Sequence, residues 1–133
     1  LHQNDRVIVE LSGQMQHNTY RRMGVIDLLP AGLEIELPLS GEDGKPYPFL
    51  KTLSDTNMTD VRDDRFVAAF SIGSQYVGIQ DKRKPEPQPV FRLAYIARAV
   101  TTGSFVLPAG AVMDMYAPPV HGRTAMGSVT IAP

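Results

Sequence analysis

The stretch FRLAYIARAVTTGSFVLPAGAVMDMY, Phe91–Tyr116, decides how the chain folds. Its first half alternates, with Phe91, Leu93, Tyr95, Ala97 and Ala99 on one face and Arg92, Ala94, Ile96, Arg98 and Val100 on the other. A period of two is that of a strand, here about ten residues long. Thr101-Thr102-Gly103 then reads as a short hairpin loop, since Gly103 takes a positive φ without a steric cost. Ser104–Leu107 returns as a second strand until Pro108, which cannot donate to a ladder. A third apolar run, Ala111–Tyr116, ends before Pro118-Pro119. The expectation is a long strand and its hairpin at the centre of a β-sandwich.

The rest of the chain is punctuated in the same style. Eleven prolines and eleven glycines among 133 residues, with Val, Ile, Thr and Tyr between them, favour many short strands over helices. The length fits a single domain, 1–133, able to bury roughly two thirds of its unfolded surface. The absence of cysteine excludes a disulfide framework and cysteine-ligated zinc. A net charge of −1 lacks the basic footprint of a nucleic-acid binder and any attraction to an anionic membrane. No apolar run is long enough to cross a bilayer, and no signal peptide is visible. Because the chain starts at Leu1 rather than Met, it is expected to be a fragment or a processed product, with any signal or lipid anchor upstream.

In order, Arg6–Ser12 reads as a first strand with Val7, Val9 and Leu11 inward, and Arg21–Leu29 as a second. Leu29-Pro30-Ala31-Gly32 has the proline and glycine of a type I turn, and Leu33–Leu37 resumes as a strand. Ser40–Pro46 is a surface loop by composition. Pro48–Ser54 is the one plausible helix, one or two turns with Phe49, Leu50 and Leu53 over an edge of the core. Val61–Ile72 reads as one strand with Asp64, Phe66, Ala68, Phe70 and Ile72 inward, and Gln75–Gln80 extends it or starts another. Asp81–Pro89 favours polyproline II and a solvated connection. Gly127–Ala132 closes the chain as a last strand. The fold class is therefore all-β: an antiparallel β-sandwich of eight or nine strands with at most one short helix.

Few residues suggest chemistry. His2, His17 and His121 share no metal-ligand spacing and read as unligated surface residues. Asp60, Asp63 and Asp64 cluster, but a calcium ion takes six to eight oxygen ligands. Arg62 and Arg65 stand among them, so structural ion pairing of Asp64 with Arg65 is the better reading. Arg92 and Arg98 lie on the face opposite the aromatic stripe, a solvent face unless Arg98 pairs with Asp64 or Asp114 between strands. No Gly-x-Ser-x-Gly frame supports a nucleophile. The residues call for no metal, no cofactor and no enzymatic activity.

Four runs occurring in order carry a resemblance: VIDLLPAGLEIE (Val25–Glu36), DVRDDRFVAAF (Asp60–Phe70), YIARAVTTGSFVLPA (Tyr95–Ala109) and MDMYAPPVHGRTAMGSVTI (Met113–Ile131). Together they resemble the C-terminal, receptor-binding-type macroglobulin-like domain of the bacterial alpha-2-macroglobulins, over Asp5–Ile131. The Asp81–Pro89 loop has no counterpart in that pattern. The resemblance implies a module of a very large, periplasmic, broad-range protease inhibitor, tethered to the inner membrane by an upstream lipid anchor. Such proteins carry a bait region whose cleavage triggers a rearrangement that traps the protease, and in many members a thioester on a helical domain. This chain holds neither, so the resemblance implies a non-catalytic module whose partners are the other domains of its own chain, the thioester domain above all. Target proteases would be met through the parent protein, and the membrane only through the anchor.

That neighbour gives Met113-Asp114-Met115-Tyr116 an expected role as the interdomain contact. Strand alternation leaves two arrangements. Either the methionines are buried and Asp114 points outward, or Asp114 is buried against an arginine, Arg98 being the candidate, and the methionines are exposed. Burying an unpaired carboxylate is costly, whereas flexible, polarizable Met suits a contact that forms and later releases. The rival from a different class is a stand-alone adhesion or carbohydrate-binding sandwich. It would show a surface row of aromatics or a calcium cluster, and only ten aromatic residues are present, most of them at inferred core positions.

Overall fold

Phe91, Leu93, Tyr95, Ala97 and Ala99 are all buried, and they line the inner face of the central strand of one sheet. The computed structural model describes residues 1–74 and 88–133. The readings of Gln75–Gln80 and of the polyproline connection therefore fall outside the described residues, save for Gln88 and Pro89. Ten strands are described: β1 (Arg6–Gln14), β2 (Arg21–Leu28), β3 (Leu33–Leu39), β4 (Met58–Arg62), β5 (Arg65–Ile72), β6 (Val90–Ala99), β7 (Gly103–Leu107), β8 (Ala111–Asp114), β9 (His121–Arg123) and β10 (Gly127–Ile131). They form three antiparallel sheets: β1-β6-β3, β4-β5-β2-β8-β9, and a two-stranded β10-β7.

The first two sheets face each other across a core that includes Met23, Val25, Phe66, Phe70, Phe91, Leu93 and Tyr95. Aromatic pairs tie β5 to β6. Phe66 stacks on Tyr95 at a centroid distance of 5.0 Å, and Phe70 meets Phe91 at 4.9 Å. Each such pair adds about 0.5–1.5 kcal/mol beyond its buried area. The β10-β7 ribbon contributes Phe105, Val129 and Ile131 to the same core. Gly32, in the arch between β2 and β3, lies against this ribbon so closely that a Cβ would run into Phe105 and Ile131.

Several expectations fail. β6 and β7 do not form a hairpin: β1 and β3 occupy both edges of β6, so β7 pairs with β10 instead. The intervening Val100 and Thr101 N–H groups donate to the Gly32 carbonyl, at 2.9 and 3.4 Å, and Gly103 takes φ 140° as the chain crosses to the ribbon. The stretch Val61–Ile72 is not one strand but the end of β4, a turn at Asp63-Asp64, and β5. The two-residue turn inverts parity, so Val61 of β4 shares the inner face with Phe66. Phe66, Ala68, Phe70 and Ile72 are buried as read, whereas Asp64, read as inward, is exposed in the turn.

Pro48–Ser54 is not helical. Only one turn forms there, Leu50 N–H to Tyr47 carbonyl at 3.0 Å, and the Ser54 N–H then donates to the Arg92 carbonyl at 2.8 Å, so the backbone bonds to β6 rather than to itself. The single helical element among the described residues is a 3₁₀ turn at Gly41–Gly44. Leu50 and Leu53 do cover hydrophobic surface, while Phe49 is exposed. They cover the outer face of β6, so Ala94 is buried and Ile96 half-buried where a solvent face was expected.

The two ends of the described chain are clasped together. The Leu1 backbone nitrogen donates to the Thr130 carbonyl at 3.2 Å, and Gln3 N–H to the Ala132 carbonyl at 2.8 Å. The Ala132 N–H returns to the Leu1 carbonyl at 2.8 Å.

Candidate interdomain surface

β8 ends at Asp114, and the loop after it is built on that side chain. Asp114 is 5% exposed and lies on the inward side of the strand. Its Oδ2 accepts a hydrogen bond from Arg21 Nη1 at 2.9 Å, and its Oδ1 accepts the backbone N–H groups of Tyr116 and Ala117 at 2.8 and 3.0 Å. Asp side chains hold turns in this way. The loop closes further through Val120 N–H to the Ala117 carbonyl and Asp114 N–H to the Val120 carbonyl, both 2.9 Å. Met115 N–H still donates to the Arg22 carbonyl of β2 at 2.9 Å, so the loop starts tied to the sheet.

Of the two arrangements open in the sequence, the one with Asp114 inside is adopted, and its arginine is Arg21 rather than Arg98. Met113 and Met115 are 42% and 52% exposed, and Tyr116, past the end of the strand, is 77% exposed. The Tyr20 and Tyr116 hydroxyls, the former first, hold the Arg22 guanidinium firmly protonated beside them.

The register extends this surface over β4, β5, β2 and β8 on the outer face of the five-stranded sheet, up to His121 and Arg123 on β9. Met58, Ala69, Gly24 and Met113 form one row across β4, β5, β2 and β8, and Asp60, Val67, Ile26 and Ala111 the next. Met115 folds back over the first row, its Cγ 3.6 Å from where a Cβ on Gly24 would stand. Met58, Ile26 and Leu28 are also exposed. Thioethers and aliphatic chains on a flat sheet perform no acid–base chemistry. They can cover a flat apolar partner.

Asp114 gives this loop a pH dependence. The Arg21 hydrogen bond, then the Tyr116 N–H, hold its carboxyl below the usual range. A carboxyl lowered by folding contributes stability that is present above the ordinary carboxylate pKa and lost as pH falls through the lowered one. Asp114→Asn is therefore expected to flatten the acid end of the stability-against-pH curve. Equal acid slopes for variant and unmodified domain in urea titrations would contradict it.

The other singled-out residues lie elsewhere. Asp64 and Arg65 make a two-pronged pair at 3.0 and 3.1 Å at the β4–β5 turn, with the Asp64 carboxyl lowered chiefly by Arg65. Asp60 faces Arg62 at 3.5 Å. Arg98 reaches neither Asp64 nor Asp114. It lies on the outer face of the three-stranded sheet, 3.6 Å from Glu36, which also takes Arg6 at 3.0 Å. Exposed pairs of this kind contribute about 0–1 kcal/mol each. Arg92 approaches Glu10 at 3.8 Å. Among the described residues, no group of three or more His, Asp and Glu is placed to hold a metal ion.

Two features escaped the sequence reading. Arg21, the partner of Asp114, shares the inward parity of Met23 and Val25, a signal that could have marked it. Asp27 shares that parity too, and it is buried. Its Oδ2 accepts the Tyr95 hydroxyl at 2.6 Å in the middle of the sandwich.

Fold and surface together define a β-sandwich module with a firmly held apolar outer face, of the kind that stacks against neighbours in a multidomain protein. Comparison with known proteins makes this specific. The chain is 32% identical to the alpha-2-macroglobulin of Xylella fastidiosa (strain Temecula1) over 142 aligned positions, which take in 98% of the chain and 8% of the relative. It is 36% identical to that of Escherichia coli K12 over 104 positions, 71% of the chain and 6% of the relative. Among solved structures, E. coli alpha-2-macroglobulin activated by porcine elastase matches over the whole chain and 11% of its own, with 32% identity and a TM-score of 0.74. A native E. coli structure running from domain MG7 to the C-terminus matches over the whole chain and 20% of its own, at 26% identity and 0.67. No family model matches the chain. The chain is a macroglobulin-like domain corresponding to the C-terminal region of bacterial alpha-2-macroglobulins, and it spans less than a tenth of the curated relatives it matches.

Proposed function

We propose that this domain is the non-catalytic C-terminal module of a periplasmic, protease-trapping alpha-2-macroglobulin, tethered to the inner membrane by a lipid anchor upstream. In the native parent protein the Met113–Tyr116 surface packs on the domain that bears the thioester, where one exists, and shields it. Bait cleavage releases that contact, and the module rearranges. The observation that carries this reading is the burial of Asp114. A carboxylate is taken out of water, held by Arg21, and used to clamp a loop whose exposed members include Met115 and Tyr116. The solved relatives support the setting: one is described as activated by porcine elastase and another, from Salmonella, as reacted with methylamine.

Met115→Asp tests it. Because Met115 is half exposed and its backbone bond to Arg22 survives the change, the isolated domain is expected to melt within about 0.5 kcal/mol of the unmodified one. The full-length variant should react with methylamine, and with water, several-fold faster. Unchanged reactivity would refute the shielding role, and an unfolded variant domain would show Met115 to be structural.

A further inference from the structure

Histidines and carboxylates gather at no metal site among the described residues, but thioethers and an imidazole come together on the outer face of the five-stranded sheet. Met113 on β8 and His121 on β9 face each other in register. Asp114 N–H donates to the Val120 carbonyl and Thr124 N–H to the Gly110 carbonyl, so the even-numbered residues of β8 are the hydrogen-bonded positions of this ladder. Met113 and His121 are therefore a non-hydrogen-bonded pair. Side chains stand closest in such pairs, with Cβ atoms about 4.5–5.5 Å apart. Both residues are exposed.

Met115 approaches the same pair from the other side. Gly24 is the β2 partner of Met113, and Met115 folds over it, its Cγ 3.6 Å from where a Cβ would stand. The bond from Met115 N–H to the Arg22 carbonyl fixes where that side chain starts. Two thioethers and an imidazole thus hold neighbouring places in one row over β2, β8 and β9. A hollow of about 210 Å³, room enough for an ion, is bordered by Met113, Pro118, His121 and Arg123.

One bond sets which ring nitrogen of His121 is on offer. Its Nδ1 lies 3.0 Å from the Pro119 carbonyl. A carbonyl only accepts, so Nδ1 carries the proton and Nε2 of the neutral ring keeps its lone pair. Metal-binding histidines are tied in this manner, with the far N–H on a carbonyl or carboxylate.

The donor set selects the ion. Neutral, soft thioethers suit Cu(I), whereas Zn²⁺ draws on thiolate, imidazole and carboxylate, and Mg²⁺ and Ca²⁺ on oxygen. Charge points the same way. Arg123 takes the next outward position of β9, while Asp114 of β8 is turned inward and engaged by Arg21. A cationic neighbour opposes a divalent ion more than a monovalent one.

We infer that Met113, Met115 and His121 form a binding site for a soft monovalent cation, Cu(I), on the outer face of β8 and β9. The test titrates the 133-residue chain, labelled at its methionine methyl carbons, with Ag(I), the redox-inert counterpart of Cu(I), and follows the methyl NMR signals. The Met113 and Met115 methyls are expected to move together and to saturate at one ion per chain. The Met58 and Met126 methyls, also exposed, should stay in place over that range. Competition with a chromophoric Cu(I) chelator, under anaerobic reducing conditions, gives the affinity of each variant. Met113→Leu, Met115→Leu and His121→Gln should each weaken Cu(I) binding at least about tenfold, since even an outer-shell partner is worth that much at a metal site. Met126→Leu should leave it unchanged. All four positions are exposed, so the substitutions leave the core untouched. A titration without saturation, Met58 or Met126 methyls that shift alongside, an affinity indifferent to His121→Gln, or Zn²⁺ bound as tightly as Cu(I) would each overturn the inference. No neighbouring domain takes part, so the shielding role of Met115 stands or falls separately.

Discussion

Phe66→Ala should unfold at roughly 2 M less urea than the unmodified domain. Phe66 is fully buried at the centre of β5, stacked on Tyr95 of the opposite sheet. Truncating such a residue costs about 3–5 kcal/mol, because lost transfer energy adds to the cavity left behind. With an m-value of about 2 kcal/mol/M, that becomes the stated shift. It is a large share of the roughly 5–15 kcal/mol by which a domain is stable. Phe91→Ala should lose less. Its ring lines an open groove, under Gly13, where a Cβ would stand 2.5 Å from it, and solvent can fill part of the space. If both variants melt with the unmodified domain, the inner-face assignment of β5 and β6 is wrong.

Tyr95→Phe should cost less in total, and the loss should depend on pH. The substitution keeps the ring stacked on Phe66 but removes the hydroxyl that Asp27 accepts. Leaving a buried polar group without its partner costs about 1–3 kcal/mol, and more when the group is charged. Burial already pushes the Asp27 carboxyl up, against the Tyr95 hydrogen bond that pulls it down, and burial then Asp27 push the Tyr95 phenol up. A carboxyl raised by folding contributes stability that is complete below the unfolded pKa, about 3.9, and lost as pH rises through the folded one. Without the hydroxyl, Asp27 rises further. The deficit of Tyr95→Phe should therefore be larger at neutral pH than in acid, where a protonated Asp27 needs no compensation. A deficit constant from acid to neutral pH in paired urea titrations would show that the pair carries no such linkage.

Which residues face inward was legible, and which strands pair was not. Alternation placed Phe91 through Ala99, and Phe66 through Ile72, on their correct faces, because the pleat of a strand is a local property. Pairing is settled by competition for edges. The sequence Ala99–Ser104 looks like a hairpin because nothing local says that β3, some sixty residues earlier, already holds that edge of β6. The apolar spacing of Pro48–Ser54 fits a helix, yet the backbone there is claimed by Arg92 across the molecule. The Met113–Tyr116 surface was half legible. Alternation reduced it to two arrangements, and parity along β2 held the deciding arginine, Arg21, in a strand whose faces carried no assignment. The Arg98 pairing went astray for the same reason as the hairpin. Arg98 and Asp114 stand on different sheets, and Glu36 on the neighbouring β3 is simply nearer.

The clasp between the chain ends bears on how the domain is made. Ile131 lies in the core, and its strand is the sole partner of β7 among the described residues. At a synthesis rate of about 5–20 residues per second, a growing chain waits with β7 unpaired until Gly127–Ile131 leave the ribosome. Pairings so distant in sequence belong to the slow end of folding, about milliseconds to seconds. During that interval the Gly103–Leu107 edge is the stretch most exposed to the wrong partner. Val106 and Leu107 remain on the surface even afterwards. A holding chaperone would find its target there, on the nascent chain and before the final strand arrives.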